Sequence, residues 1–261
     1  MQLIGLQFGP VWEDKASSHL LIEELLEMAS PQRGALVVLP EMSDTGWSFK
    51  FDRIADQDTL NWSVNTAKKF GIHLQVGYAQ RASDDKGYNC TTIIGPDGTI
   101  GKTYKKIHPF SFGDEPLYFH HGDDIIVERR DGISVCPTIC YDLRFPELYR
   151  HGMLNGADVF TVIASWPIER AEHWRALAIA RAIENQAYVI AVNGTGTDPH
   201  WKYGGGSLII SPQGEILAEG GSEPCVLKAH FDRPLIDDWR KRFPAIKDVH
   251  PHLLGISDQN C

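Results

Sequence analysis

Short runs of apolar and β-branched residues recur along the chain, separated by amphipathic segments. LIGLQF (3 to 8), ALVVLP (35 to 40), HLQVGYA (73 to 79) and YNCTTIIG (88 to 95) have the length and composition of buried strands. DIIVER, ISVCPTIC, DVFTVIA, YVIAVNG and VLKAHF read the same way further on. HLLIEELLEMAS (19 to 30) carries apolar positions at helical spacing with no Pro or Gly, which predicts a helix between the first two strands. A second helix is predicted over 59 to 70, with Gly71 placed to end it. The third covers 171 to 187, where Ala176, Ile179, Ala180, Ile183 and Ala187 mark an apolar stripe.

Two tetrapeptides add topology to this pattern. GPDG at 95 to 98 predicts a hairpin from Asn89 to Tyr104, and SPQG at 211 to 214 predicts another between GSLIIS and EILAEG. Hairpin-paired strands mixed with helix-separated strands imply mixed sheets with helices on their outer faces, a layered α/β architecture. No Pro/Ser/Gly-rich linker divides the chain, so residues 1 to 261 read as one domain. The weakly periodic tail from about 232 is expected to wrap that domain or a partner subunit.

Composition narrows the function. The 25 Lys and Arg against 34 Asp and Glu give a net charge of −9, and the basic clusters are too short to track a phosphate backbone, which argues against nucleic acid. No stretch approaches the roughly 18 to 20 apolar residues of a membrane span, and the N-terminus lacks a basic leader. A cytoplasmic location is expected, with the five cysteines, Cys90, Cys136, Cys140, Cys225 and Cys261, reduced.

Among these cysteines, Cys140 stands where the apolar run ISVCPTI gives way to YDLRFPELYR, in which Pro146 and Glu147 suit a helix first turn. A strand-to-helix junction exposes a nucleophile beside backbone N–H groups and a positive helix end, which is expected to favour the thiolate. Cys136 suits a core position instead. Glu41 follows the strand GALVVLP directly, and in KTYKK alternation sets Lys102, Tyr104 and Lys106 on one face with Lys105 on the other. Taken singly, a strand-end carboxylate reads as a cap and a lysine as a solvated charge.

Taken together they carry a resemblance. LPEM (39 to 42), YKKIHPF (104 to 110) and CYDLRFPELYR (140 to 150) occur in the order and at the separations seen in the nitrilase superfamily of carbon-nitrogen hydrolases, which this chain resembles from end to end. ADVFTVIASWP, HWRALAIARAIENQAYV followed by VNGTG, and GGGSLIISPQGEILAEGG extend the match. The likeness runs furthest toward the omega-amidase group, through ASWP-x-x-R-x-x-HW and the late RFPA-x-x-D, with departures at Pro109 and at Gly204-Gly205-Gly206.

The resemblance implies a four-layer αββα sandwich, assembled as a homodimer or higher homo-oligomer, and a cofactor-free, metal-free hydrolysis of a terminal amide of a small carboxylic acid such as a 2-oxo acid monoamide. It implies Glu41, Lys106 and Cys140 as catalytic triad and Glu115 as a second acid that orients Lys106. In such a reaction Cys140 attacks, Glu41 shuttles the proton, and Lys106 with the backbone N–H of Tyr141 holds the oxyanion. Arg144 and Arg170 are the candidate cations for a substrate carboxylate, and Trp166 a candidate wall. Asp142, Arg144 and Glu147 are expected to form an ionic network bracing the junction.

Competing readings are weaker. His120-His121, Asp123-Asp124 and His250-Pro251-His252 match no metal-site spacing. GGGSL lacks the second glycine of a serine nucleophile elbow, so its glycines are expected to permit a close backbone approach or a bend. Other amidases and N-carbamoyl hydrolases share the same three residues. A non-catalytic scaffold is the further alternative.

Overall fold

The computed structural model describes residues 1–255, so Cys261 lies outside the described residues. Two six-stranded sheets pack face to face. In the first, the order is β14 (Cys225–His230), β1 (Gln2–Gln7), β2 (Leu36–Val38), β3 (His73–Arg81), β4 (Gly87–Ile94) and β5 (Ile100–Lys105). In the second it is β6 (Glu128–Arg130), β7 (Ile133–Ile139), β8 (Val159–Ala164), β9 (Tyr188–Asn193), β12 (Leu208–Ile210) and β13 (Ile216–Glu219). Read in these directions, both sheets pair antiparallel, parallel, parallel, antiparallel, antiparallel. A small hairpin of β10 (Thr195–Thr197) and β11 (Lys202–Gly204) stands apart. Both predicted hairpins are present, as β4–β5 and β12–β13.

Because the central parallel strands are covered on both faces, their side chains alternate between two apolar environments rather than between core and water. Leu3, Leu36 and Val38 join the core shared with the second sheet. Ile4, Leu6, Val37 and Leu39 point the other way, onto Ile22, Leu25 and Leu26 of α1 (Lys15–Ala29) and Ala67 of α3 (Asp58–Phe70), which follows the single turn α2 (Phe51–Ile54). On the far side, α5 (Pro146–Leu154) and α6 (Ala171–Asn185) cover the second sheet. These are the four expected layers. Gly71 ends α3 at φ +65°, as its placement predicts. The first helix begins earlier than its hydrophobic pattern suggests, because the Asp14 side chain caps it by accepting from Ser17 N at 3.1 Å.

Helix α6 corrects the sequence reading. It turns Trp174, Ala178, Arg181, Ala182 and Asn185 inward, whereas Ile183 is 52% exposed and Ala176 lies outside. Small alanines let the helix close on the sheet. Arg181 is tolerated inside because its guanidinium donates to Leu143 O from Nε at 3.1 Å and from Nη2 at 2.7 Å. Beyond Phe231 the chain forms α7 (Arg233–Arg242), where Arg233 chelates Asp158 at 2.8 and 2.7 Å and Arg240 donates to Ala157 O at 2.8 Å.

Gly77 on β3 is a point of close packing, where a Cβ would meet Ile163 Cδ1 at 2.7 Å, Met42 N at 2.8 Å and Pro40 O at 2.9 Å. Two of these are backbone atoms of the turn that carries Glu41, and they cannot yield as a flexible side chain would. Gly77→Ala is therefore expected to destabilise by about 1–3 kcal/mol, a typical overpacking cost, and to lower Tm by several degrees, at roughly 2–4 °C per kcal/mol. Calorimetry checks this; an unchanged Tm would mean the contact between the sheets is loose.

Candidate active site

Strand ends build the site. Glu41 lies three residues beyond β2, Lys106 directly after β5, Cys140 directly after β7 and Ser165 directly after β8. These strands bring four distant segments to one edge of the sandwich, where the ends of parallel strands leave a crevice. The turn bearing Glu41 is held by Ser43 N donating to Gly77 O at 3.0 Å, with Met42 at φ +44°. Tyr104 and Lys106 are both buried and Lys102 is exposed, so the alternation expected along this strand continues past its end at the two inner positions.

Lys106 is 1% exposed and sits between two carboxylates. Its Nζ donates to Glu41 Oε1 at 2.9 Å, and to Glu115 Oε2 and Oε1 at 2.8 and 3.1 Å. Burial works against the ammonium, but the charges of Glu115 and Glu41 outweigh it and hold its pKa above the usual lysine value. Glu115 opens the short helix α4 (Glu115–Tyr118), and its carboxylate also accepts from Phe110 N. The second oxygen of Glu41 accepts from Ser165 N at 2.8 Å. Asn89 Nδ2 donates to Glu41 Oε1 at 2.7 Å and to Glu115 Oε1 at 2.9 Å.

Cys140 has φ +48°, a left-handed conformation for a residue with a side chain. Such strain typically costs about 1–3 kcal/mol and persists where the surroundings enforce it. Asp142 does the enforcing. Its Oδ2 accepts from Ile139 N at 3.0 Å and from Tyr104 Oη at 2.8 Å, and its Oδ1 from His108 N at 2.9 Å with His108 Nδ1 also at 2.9 Å. One buried carboxylate thus ties the residues flanking Cys140 to those flanking Lys106. This corrects the expected ionic network: Arg144 lies over Trp166 instead, 4.8 Å from its ring, and Glu147 is exposed.

The thiol also departs from expectation. Burial pushes the Cys140 pKa well above its ordinary range, Glu41 raises it further, Lys106 pulls it back, and Glu115 adds to the rise. The expected bias toward thiolate reckoned with the helix end and not with burial or the two carboxylates. Cys136 is fully buried at the core, as expected, and Gly152 packs against its sulfur.

Glu41, Lys106 and Cys140 line one small cavity together with Tyr141, Arg144, Trp166 and Arg170. Of the residues named for catalysis and substrate binding, all line it except Glu115, which touches Lys106. Trp166 is both wall and core, 3% exposed. Arg170 lies over Phe110, Phe112 and Trp201 at 5.4, 5.8 and 5.5 Å from their ring centres. Its Nη2 is buried with no hydrogen-bond partner among the described residues. Burial lowers the Arg144 pKa, and the like charge of Arg170 adds to the fall.

Sequence reasoning missed Trp47, Trp201, Asn89 and the Ser165 N–H. The signal for Asn89 was a lone amide inside the apolar run YNCTTIIG. Ser207 is a structural residue: its Oγ accepts from Asn193 N at 2.9 Å. At Gly205, φ is +62° and a Cβ would meet Gly221 O at 2.4 Å, which is the close backbone approach expected of these glycines. His120 pairs with Asp84 and His121 with Asp123 away from the cavity.

The sequence profile described as Carbon-nitrogen hydrolase matches residues 4–241. The chain is 37% identical over 243 residues to a 2-oxoglutaramate amidase of Bacillus subtilis (strain 168), covering 92% of this chain and 94% of the relative. It is 33% identical over 253 residues to the omega-amidase YafV of Escherichia coli (strain K12), covering 95% and 96%. Among solved structures, XC1258 of Xanthomonas campestris, a CN-hydrolase superfamily protein with an arsenic adduct in its active site, aligns with a TM-score of 0.89 at 30% identity, over 96% of this chain and 97% of that one. The chain belongs to the carbon-nitrogen hydrolase family, within the nitrilase superfamily, and its similarity there runs to the omega-amidase group.

Proposed function

We propose that the protein hydrolyses the terminal amide of a small 2-oxo acid monoamide, such as 2-oxoglutaramate, through a thioester on Cys140. The observation that carries this reading is one cavity with Glu41, Lys106 and Cys140 in its wall and two guanidiniums, Arg144 and Arg170, beside them. The thiol proton passes to Glu41 as sulfur attacks the amide carbon. Lys106 and the Tyr141 N–H, which lies in the first turn after the strand and so has no intrahelical acceptor, stabilise the oxyanion. An ammonium has three donors; the chelate with Glu115 can be served by one and Glu41 takes another, which leaves one for the substrate oxygen. Glu41 then returns the proton to the departing nitrogen and ammonia leaves. Finally it takes a proton from water, hydroxide displaces the sulfur, and the acid and the free thiol result.

Arg144 and Arg170 suit the substrate carboxylate. Such an end group also separates this reading from hydrolysis of simple uncharged amides, since those substrates need no anion site. A cytoplasmic setting fits the reduced cysteines, and the exposed Ile183 face of α6 fits assembly as a homodimer.

Ammonia release from 2-oxoglutaramate is expected from the wild type and not from Cys140→Ala. Release by neither, with no turnover of any amide, nitrile or carbamoyl compound, would favour a binding scaffold. Arg170→Leu is expected to raise KM for 2-oxoglutaramate by about tenfold or more, the scale of one charged hydrogen bond, while leaving an uncharged amide such as propionamide nearly unaffected. Equal effects on both substrates would remove Arg170 from the carboxylate site. Because the Cys140 pKa is raised, the thiolate fraction grows with pH throughout the ordinary thiol range. Alkylation of Cys140 by iodoacetamide should therefore keep accelerating through about pH 9; a plateau near neutrality would reveal a preformed thiolate.

A further inference from the structure

We propose that Asn89 is a positioning residue that sets the proton affinity of the Glu41–Lys106–Glu115 cluster, an inference that rests on Glu41 acting as the base. Asn89 is 1% exposed on β4 and meets the cluster three ways. Its Nδ2 donates to Glu41 Oε1 at 2.7 Å and to Glu115 Oε1 at 2.9 Å, and its backbone oxygen accepts from Lys106 N at 2.8 Å. Two of the charged side chains and the backbone of the third residue are therefore tied to one residue of the sheet.

The chemistry fixes the amide orientation. Ionised carboxylates only accept, so an amide between two of them must present its NH₂ group and spend both protons there. The cost shows on the other side, where Asn89 Oδ1 is buried with no hydrogen-bond partner among the described residues. A side chain selected only to fill the space would not leave a carbonyl stranded in that way. The residue keeps an unsatisfied acceptor and in return gives each acid a neutral donor.

A neutral donor acts on the reaction in a way a second lysine would not. Each bond to a carboxylate favours its ionised form without adding charge. Glu41 must be ionised to receive the thiol proton, yet must release that proton to ammonia. The charged and titratable groups facing it are Lys106 after β5, Glu115 on α4, Cys140 after β7, and Tyr203 on β11, whose phenol is bonded to Asp198. Of these only Lys106 is cationic. Asn89 supplements it against the second acid and holds the two carboxylates side by side.

The test is the pH profile of kcat/KM for ammonia release by Asn89→Leu and Asn89→Asp, with folding checked by thermal melting. Losing the donors should move the acid limb to higher pH, so that the loss relative to wild type is at least about tenfold larger near pH 6 than near pH 8.5. Asn89→Asp differs little in shape but adds a third negative charge, and should move the limb further. KM should change little, because Asn89 does not line the cavity. A folded variant whose loss is the same at every pH, or whose profile matches wild type, would overturn the proposal. Cys140→Ala is measured beside them: if it retains turnover, the thioester reading fails, whereas an unmoved limb with inactive Cys140→Ala removes Asn89 alone.

Discussion

Everything at the cleft depends on one buried cation held between two buried carboxylates. Isolated, each of these charges would be strongly disfavoured away from water, and breaking such a group by removing one member costs about 3–5 kcal/mol. Lys106 therefore cannot serve as a freely titrating lysine, and Glu41 and Glu115 cannot approach so closely without it. The three side chains come from the ends of β2 and β5 and from α4. Their mutual dependence is what makes the first sheet, the hairpin and the loop that follows it a single structural unit. Oxygen lone pairs left over by Lys106 are taken by Asn89, Phe110 N and Ser165 N, so the charge is distributed over fixed dipoles that need not reorganise during a reaction.

The second sheet joins this unit through Asp142. Tyr104 and His108 flank Lys106, while Ile139 and Asp142 flank Cys140, and the Asp142 carboxylate receives hydrogen bonds from both sides. This explains how a cysteine can be kept at φ +48°: the carboxylate grips the backbone immediately before it. Ser165 at the end of β8 gives its N–H to Glu41, a second stitch between the sheets. The sandwich thus fixes the relative position of carboxylate, ammonium and sulfur by polar contacts at its edge. Its apolar core supplies the rigidity.

Legibility in the sequence followed the range of the interaction. Hairpins at GPDG and SPQG were readable because turn chemistry is local, and strands were readable because a doubly covered sheet produces continuous apolar runs. Glu41, Lys106 and Cys140 were readable only as a set, by resemblance, since singly each has a plainer explanation. The inner face of α6 was not readable, because Arg181 counts as outward in any hydropathy pattern until its acceptor, Leu143 O, is known. Asn89 was hidden for the same reason: its partners lie 48 and 26 residues away. The direction of the Cys140 shift was misjudged because a strand-to-helix junction predicts a positive dipole, and only the folded chain shows burial, and after it the carboxylates of Glu41 and Glu115, overriding it.

Charge also orders the cavity. Glu41 and Lys106 stand in its wall with Cys140, and Arg144 and Arg170 add two guanidiniums to the same lining. A carboxylate-bearing amide entering backwards would set like charges together; at 4 Å and an effective dielectric of 20 such a contact is worth about 4 kcal/mol, enough to decide orientation before any bond changes. Aromatic packing around Arg170 sharpens this. Phe110, Phe112 and Trp201 offer ring faces that favour the cation without occupying its donors, whereas a carboxylate partner from the protein would have consumed them. An arginine packed in this way keeps its Nη2 without a partner among the described residues, so its donor stays available to whatever occupies the cavity.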